Sequence, residues 1–323
     1  MNRPIWTPLH ARLHRTIRQR DLLRKNQSVL VGVSGGQDSV CLIKLLVDVQ
    51  RKWNWKLAIA HCNHRWRSDA EQNANFVAKL ASDWNLPFYL ETTETVTPSE
   101  AAAREWRYAA LRRIAEREDF SAIVTGHTAS DRAETLLFNL IRGSGADGLQ
   151  ALNWTRSMTS GLTLIRPMLE ITRSETAQFC QEMNLEIWED STNQNLNYAR
   201  NRIRCELLPY LKANFNPQVE QHLAQTIELL GAEVAYLEAQ ATQLTQSASE
   251  SFSLDRLILR RAPLALQRRS IRQFLQQSLG IHPNFEQVEK VVALIDAPNR
   301  SRTDPIVGDA IAEVDGNWIQ LKV

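Results

Sequence analysis

Along the first two hundred positions, apolar residues fall into two alternating kinds of run. Short, β-branched stretches at Ser28–Val33 (SVLVGV), Lys56–Ala60 (KLAIA) and Ala122–Thr125 (AIVT) have the length and composition of buried strands. Between them, Val40–Gln50, Ala70–Asn85 and Ala101–Glu118 place apolar residues three or four apart, the helical period. A weaker run at Pro87–Leu90 predicts a fourth strand. Strands alternating with helices specify βαβ units. The expected fold class is therefore α/β, with a doubly wound, mainly parallel sheet.

The pattern changes after Phe215. Leu223, Ile227, Leu230, Val234 and Leu237 predict one long amphipathic helix from Pro217 to Gln246. Further helices are expected at Pro263–Leu279 and Asn284–Asp296, and Asp315-Gly316 between alternating residues of Ala310–Val323 reads as a β-hairpin. Asn214, Asn216 and Pro217 break the periodicity, so the boundary falls near 213–217. This gives a first domain over 1–215, with a basic helix in 1–27, and a mostly helical second domain over 216–323.

Composition narrows the classes. The 323 residues are 43% hydrophobic, enough for a sizeable core, and carry a formal charge of +2, which excludes a globally basic nucleic-acid coat. Local basic faces remain. Residues 1–28 hold Arg3, Arg12, Arg15, Arg18, Arg20, Arg24 and Lys25 against Asp21, and residues 255–280 hold six arginines against Asp255. Apolar runs are far short of the ~20 residues of a membrane span. With no signal-peptide pattern, a cytoplasmic protein is expected. Cys41, Cys62, Cys180 and Cys205 have no CxxC or zinc spacing, so they are read as reduced, mostly buried thiols.

The sharpest chemical feature is Ser34-Gly35-Gly36-Gln37-Asp38-Ser39, between the first strand and the first long helix. Glycines let the backbone approach a ligand, and the open N–H groups and dipole of a helix start attract anions. A carboxylate at Asp38, beside phosphates, makes sense with Mg²⁺ between them. Neither GxxxxGK[ST] nor GxGxxG is present. A plain strand-to-helix turn capped by Ser34 or Asp38 is the simpler alternative.

Other polar groups gather where strands end, the edge at which open α/β sheets bind ligands. His61-Cys62-Asn63-His64-Arg65-Trp66-Arg67 follows the second strand, with Asn63 able to read adenine and Trp66 to stack on a base. Arg104 and Arg107 share one helix face, suited to phosphate or equally to solvent. Gly126-His127 ends the strand Ala122–Thr125, and Asp131 and Glu134 lie three apart at the next helix start, where acids also steady the dipole. Arg142-Gly143-Ser144-Gly145 closes that helix. Arg166-Pro167-Met168-Leu169 precedes another, and Asp190-Ser191-Thr192-Asn193 leads to a basic helix start at Arg200, Arg202 and Arg204, with Pro209 ending its pattern.

The glycine loop resembles the SGGxDS pyrophosphate (PP) loop of the N-type ATP pyrophosphatases, whose adenine nucleotide alpha hydrolase-like fold it implies. The six motifs together, in order from Ser34 to Arg204, resemble the tRNA(Ile)-lysidine synthase family in its short form. Two departures stand out: Arg65-Trp66 within the HxNH string, and Ser191-Thr192-Asn193 followed by Gln194 and Asn195.

The resemblance implies a ligase that joins lysine to C2 of the wobble cytidine of CAU-anticodon tRNA(Ile), through an adenylated cytidine, releasing AMP and pyrophosphate. It implies ATP and Mg²⁺, with Ser34, Gly35, Gly36, Gln37, Asp38, Ser39, His61, Asn63 and Gly126 at the nucleotide and Asp38 at the metal. Arg104 and His127 join the chemistry, and Asp131 and Glu134 grip lysine. Arg107, Arg142, Arg200, Arg202 and Arg204 face tRNA. A homodimer is compatible with the sequence. Two rival readings are another PP-loop tRNA-modifying enzyme of thiolase type, and a nucleotide- or RNA-binding module without turnover.

Overall fold

A computed structural model describes residues 6–65, 68–95, 99–150, 152–189, 195–250 and 252–322. Trp66, Arg67, Arg3, Pro98 and the Asp190–Asn193 string lie outside the described residues. By its contacts the chain divides into two compact units, Met1–Glu228 and Leu229–Val323.

The first unit opens with α1 (Pro8–Gln19), β1 (Ser28–Gly32), α2 (Gln37–Trp53), β2 (Lys56–Asn63), α3 (Ala70–Asp83), β3 (Phe88–Thr92), α4 (Glu100–Arg117) and β4 (Ala122–Thr125). It continues with α5 (Ala129–Ile141), a short α6 (Ala146–Leu149), β5 (Thr155–Thr159), β6 (Leu162–Ile165) and α7 (Arg173–Glu182). The strands form one sheet in the order β3-β2-β1-β4-β6-β5, parallel except for the antiparallel edge strand β5. The predicted strands and helices are all present. β5 and β6 are additions.

Side chains alternate between the two faces of the sheet, as the strand period requires. Val29, Val31, Ile59 and Val124 pack into one core with Leu13 of α1, Leu42 of α2 and Phe179 of α7. Leu30, Ala58, Ala60 and Ile123 pack into the other with Leu111 and Ile114 of α4. The chain winds outward from β1 in both directions, through β2 on one side and β4 on the other. The carboxyl ends of β1 and β4 thus flank the switch point, where open sheets form their ligand crevice.

After α7 come α8 (Ala199–Arg202), a π-helical turn (Ile203–Leu207) and α9 (Leu208–Asn214). The expectation that Pro209 ends the helical pattern is corrected here: helix continues to Asn214. Proline lacks an N–H and crowds the preceding turn, and the wider π turn just before it accommodates both effects.

The long helix, α10, spans Val219–Ala248, and the two units divide inside it. Its first third is bound to the first unit by polar contacts. Glu220 Oε2 accepts from Ser130 Oγ at 3.1 Å, and Glu228 Oε2 accepts from Trp154 Nε1 at 2.8 Å and from Arg132 Nη1 and Nη2 at 3.2 Å. These contacts explain why the contact boundary lies at 228, whereas the break in periodicity marks the helix start.

The second unit adds β7 (Ser249–Glu250), β8 (Ser253–Asp255), α11 (Arg256–Arg260), α12 (Leu264–Leu279), α13 (Phe285–Val292), a 3₁₀ turn (Ala293–Ile295), β9 (Ile311–Asp315) and β10 (Trp318–Lys322). β9 and β10 form the expected hairpin inside a four-stranded sheet, β7-β8-β10-β9, whose other two strands are too short to read from periodicity. Phe274, Leu275, Val314 and Ile319 anchor its separate core.

Candidate active site

The glycine loop caps the crevice, and its shape is enforced. Gly35 has φ +89°, and a Cβ there would collide with Asn73 Oδ1. Gly36 is the N-cap of α2. Ser39 Oγ donates to Gly36 O at 2.8 Å and accepts from Ser34 N at 3.2 Å, closing the turn on itself. Asn73 Nδ2 donates to Ser34 O at 3.0 Å, and Trp188 N to Gly35 O at 2.9 Å. The first N–H groups of α2, which have no carbonyl one turn back, open at this end. Trp188 Nε1, on a residue touching Gly35, is buried with no hydrogen-bond partner. An anion in the crevice suits the open N–H groups.

Gly126 does its work through packing. A Cβ there would sit 2.9 Å from Asp38 O and 3.1 Å from Ser39 Cα, so only glycine lets the end of β4 approach the start of α2. Gln37 faces away from the loop: its side-chain amide donates to Arg173 O and Thr176 Oγ1, both at 2.7 Å.

His61 and Asn63 lie inside β2, which runs three residues past the predicted strand. His61 is buried and its Nδ1 donates to Val33 O at 2.8 Å, joining β2 to β1 just before the loop. Burial, partly countered by that bond, lowers its pKa. Asn63 Oδ1 accepts from Arg65 N at 2.9 Å.

The structure gathers three acids that the sequence leaves in two separate motifs. Asp38 at the start of α2, and Asp131 and Glu134 on α5, converge on Arg173, the first residue of α7. Its Nε donates to Asp38 Oδ2 at 3.2 Å, its Nη2 to Asp131 Oδ1 at 2.8 Å and its Nη1 to Glu134 Oε1 at 2.6 Å. Asp38 Oδ1 also accepts from Thr176 Oγ1. Arg204 grips Glu134 through both oxygens at 2.8 Å. Asp131 serves twice: Oδ2 accepts from Thr128 N and Oγ1, each at 2.7 Å, in a capping box, while Oδ1 faces Arg173. Three carboxylic acids thus meet two guanidiniums in one cluster.

Burial raises the Asp38 carboxyl; Arg173 pulls it down and the Asp131 charge pushes it up again. Burial also opposes ionisation of Asp131, but Arg173 and the Thr128 donors outweigh it and hold its pKa low. Desolvation, with Arg166, Arg104 and Arg107 nearby, drives His127 down to about 3. His127 is therefore a neutral imidazole at physiological pH, its Nδ1 2.9 Å from Thr125 Oγ1.

Sequence reasoning missed Arg173. Its signal was present: a cation in a helix's first turn opposes the dipole, so an arginine directly after the Thr172 cap asks for carboxylates. Arg204, read as a tRNA contact, points into the acid cluster. Arg104 lies with its guanidinium 5.5 Å from the Tyr108 ring centroid, and Arg107 Nε is 3.3 Å from His64 Nε2. Burial, with Arg107 adding, pushes His64 down to about 4.

Other readings from composition shift too. Cys41 and Cys180 are buried, Cys62 is half-buried and Cys205 exposed. Several arginines of the basic stretches pair internally: Arg20 with Glu228 at 2.6 Å, Arg268 with Glu289 at 2.7 Å and Arg260 with Asp296 at 2.7 Å. Exposed pairs of this kind add little to stability and are screened by salt.

The PP-loop domain family matches residues 7–211. A tRNA(Ile)-lysidine synthase from Nostoc sp. is 60% identical, with 98% of each chain covered. The chain belongs to the tRNA(Ile)-lysidine synthase family. A second synthase, from Synechocystis sp., is 52% identical, again over 98% of each chain. A solved U34-tRNA thiolase, NcsA from Methanococcus maripaludis, shares the fold with TM-score 0.57 and 18% identity, covering 69% of this chain and 78% of that one. The synthase relatives match the whole length at high identity, while the thiolase likeness concerns the fold alone. No described helix is long and apolar enough to cross a membrane.

Proposed function

We propose that the chain is an ATP-dependent ligase that forms lysidine on tRNA(Ile). The C2 oxygen of the wobble cytidine attacks the α-phosphorus of ATP and pyrophosphate leaves. The side-chain amine of free lysine then attacks C2, loses a proton, and the C2–O bond breaks to release AMP. The single observation that carries this reading is the Arg173-centred cluster, which brings the start of the phosphate loop's helix against the acid pair of α5.

In this reading the loop amides and the hydroxyls of Ser34 and Ser39 hold the β- and γ-phosphates. Arg104 stabilises charge near the α-phosphorus as pyrophosphate departs. His127, kept neutral, hydrogen-bonds the nucleotide or the base. Asp131 receives a lysine ammonium; it is the more open of the pair, at 20% side-chain exposure against 4% for Glu134. Its low pKa suits holding an ammonium rather than accepting its proton, which we assign to water.

The residues fit Mg²⁺ in one role only. Among the described residues no group of three or more His, Cys, Asp or Glu is arranged to hold a metal. A single carboxylate, Asp38, at a phosphate loop suits a cation that arrives on the nucleotide and keeps water and phosphate ligands. Bound there, Mg²⁺ supplies charge neutralisation to the leaving pyrophosphate. A cytoplasmic location and a homodimer are both compatible with the reading.

The test is incubation with ATP, Mg²⁺, labelled lysine and a CAU-anticodon transcript. Label enters tRNA in proportion to AMP released. Lysine remaining free while ATP turns over contradicts the proposal.

A further inference from the structure

The face of α5 that carries Glu134 does not end there. Phe138, Ile141 and Arg142 follow at helical spacing, and with Arg202, Leu207 and Tyr210 they line a cavity of about 600 Å³. That volume is within the ~300–1,000 Å³ of small-ligand sites. Both walls start at the acid cluster, because Glu134 belongs to α5 and Arg204 to the π turn opposite. The cavity is open and carries large apolar side chains into solvent: Ile141 is 68% exposed and Tyr210 57%. It is also basic. The Arg142 and Arg200 guanidiniums lie 5.1 and 5.5 Å from the Phe138 ring centroid, and Arg202 adds a third charge. Glu206 is the one acid among its lining residues.

Aromatic and guanidinium planes among arginines are the chemistry that binds unstacked nucleobases and their phosphates. Reach decides which base. At 1.5 Å per residue, Phe138 lies ~6 Å and Arg142 ~12 Å along the axis from Glu134. Both positions are close enough to the acid cluster for a nucleotide neighbouring the one that reacts there.

We infer that this cavity holds the nucleotide next to the wobble cytidine, its base against Tyr210 and its phosphate on Arg142 and Arg202. The inference rests on the proposed function and gives it a second contact site. The positive charge of Arg142, Arg200 and Arg202 around an aromatic lining complements a phosphate backbone, so the occupant is RNA; a protein partner or a second copy of the chain is an outcome of the test.

The experiment uses the full chain and a CAU anticodon stem–loop in which 2-aminopurine replaces the adenosine that follows the wobble cytidine. Wild type and Tyr210→Phe change its fluorescence on binding. Tyr210→Ala abolishes the change and binds RNA about 10- to 100-fold more weakly, the range expected for one lost stacking contact. Ile141→Ser, at an exposed position, weakens binding in the same direction. Thermal melting checks that each variant is folded. Unchanged RNA affinity and an unchanged signal in Tyr210→Ala overturn the inference. So does a loss confined to self-association in sedimentation, which assigns the surface to a second copy. If wild type makes lysidine while Tyr210→Ala keeps its KM for tRNA, this inference alone fails. If wild type makes none, the underlying reading fails.

Discussion

Arg173 Nη1 lies 2.6 Å from Glu134 Oε1, although 39 residues separate the two in sequence. The same guanidinium reaches Asp131 and Asp38, so one side chain at the start of α7 sets the spacing between the loop that takes phosphate and the acids that take lysine. Arg173→Ala leaves Asp38 and Asp131 without this guanidinium and Glu134 with Arg204 alone. AMP formation should fall by about 100-fold, the scale of losing one preorganised charge contact. Arg173→Lys keeps the charge but cannot fork to three partners, and should recover only part. Single-turnover AMP release measures both; wild-type rates in Arg173→Ala would remove the residue from the site.

Two glycines should fail for different reasons. Gly35→Ala strains a positive φ and meets Asn73, so the loop distorts and ATP binding is lost while the fold survives. Gly126→Ala forces β4 away from the backbone of Asp38 and Ser39, an overpacking cost of about 1–3 kcal/mol. Melting curves and nucleotide titration separate the two; equal thermal losses would contradict the distinction.

Acid sensitivity follows from two histidines. His127 is pushed down to about 3 and His64 to about 4, against about 6.5 in an unfolded chain. Between those values the unfolded state binds more protons, so stability rises with pH there. The contribution is complete above about 6.5 and is lost as pH falls toward 4 and then 3. His127→Asn should flatten that acid slope in urea melts from pH 4 to 8. The same variant should leave no altered limb in activity between pH 7 and 8, where His127 is already neutral.

Truncation should distinguish the two boundaries. A chain ending at Glu228 keeps the carboxylates that hold Ser130, Arg132 and Trp154. One ending at Asn216 leaves buried Arg132 without its carboxylate, at a cost on the order of 2–3 kcal/mol. The longer piece should bind ATP and melt cooperatively; the shorter should melt lower or aggregate.

What the sequence disclosed was local. The loop Ser34–Ser39, the strand that precedes it and the Asp131–Glu134 spacing are each written within a few residues, so period and turn chemistry expose them. β5 escaped because its exposed TRSMT carries no apolar alternation. Arg173 and Arg204 escaped for a different reason: the Thr172 cap hints that Arg173 needs carboxylates, but which acids these arginines meet is set only once α7 and the π turn fold back on α5, and no local pattern names a partner 39 or 70 residues away. Arg132 likewise reads as a surface charge until its burial against Glu228 is seen. The uneven charge along the chain was legible, but how many of those arginines bind their own neighbours was not.

The central claim is that the cytidine oxygen itself becomes the leaving group by bonding to the α-phosphorus. A transcript carrying ¹⁸O at C2 of the wobble cytidine tests it directly. Mass spectrometry of the products should find the heavy oxygen in AMP, with none left in the lysidine-containing tRNA. Unlabelled AMP, or heavy oxygen retained in the modified base or released to water, would contradict the account.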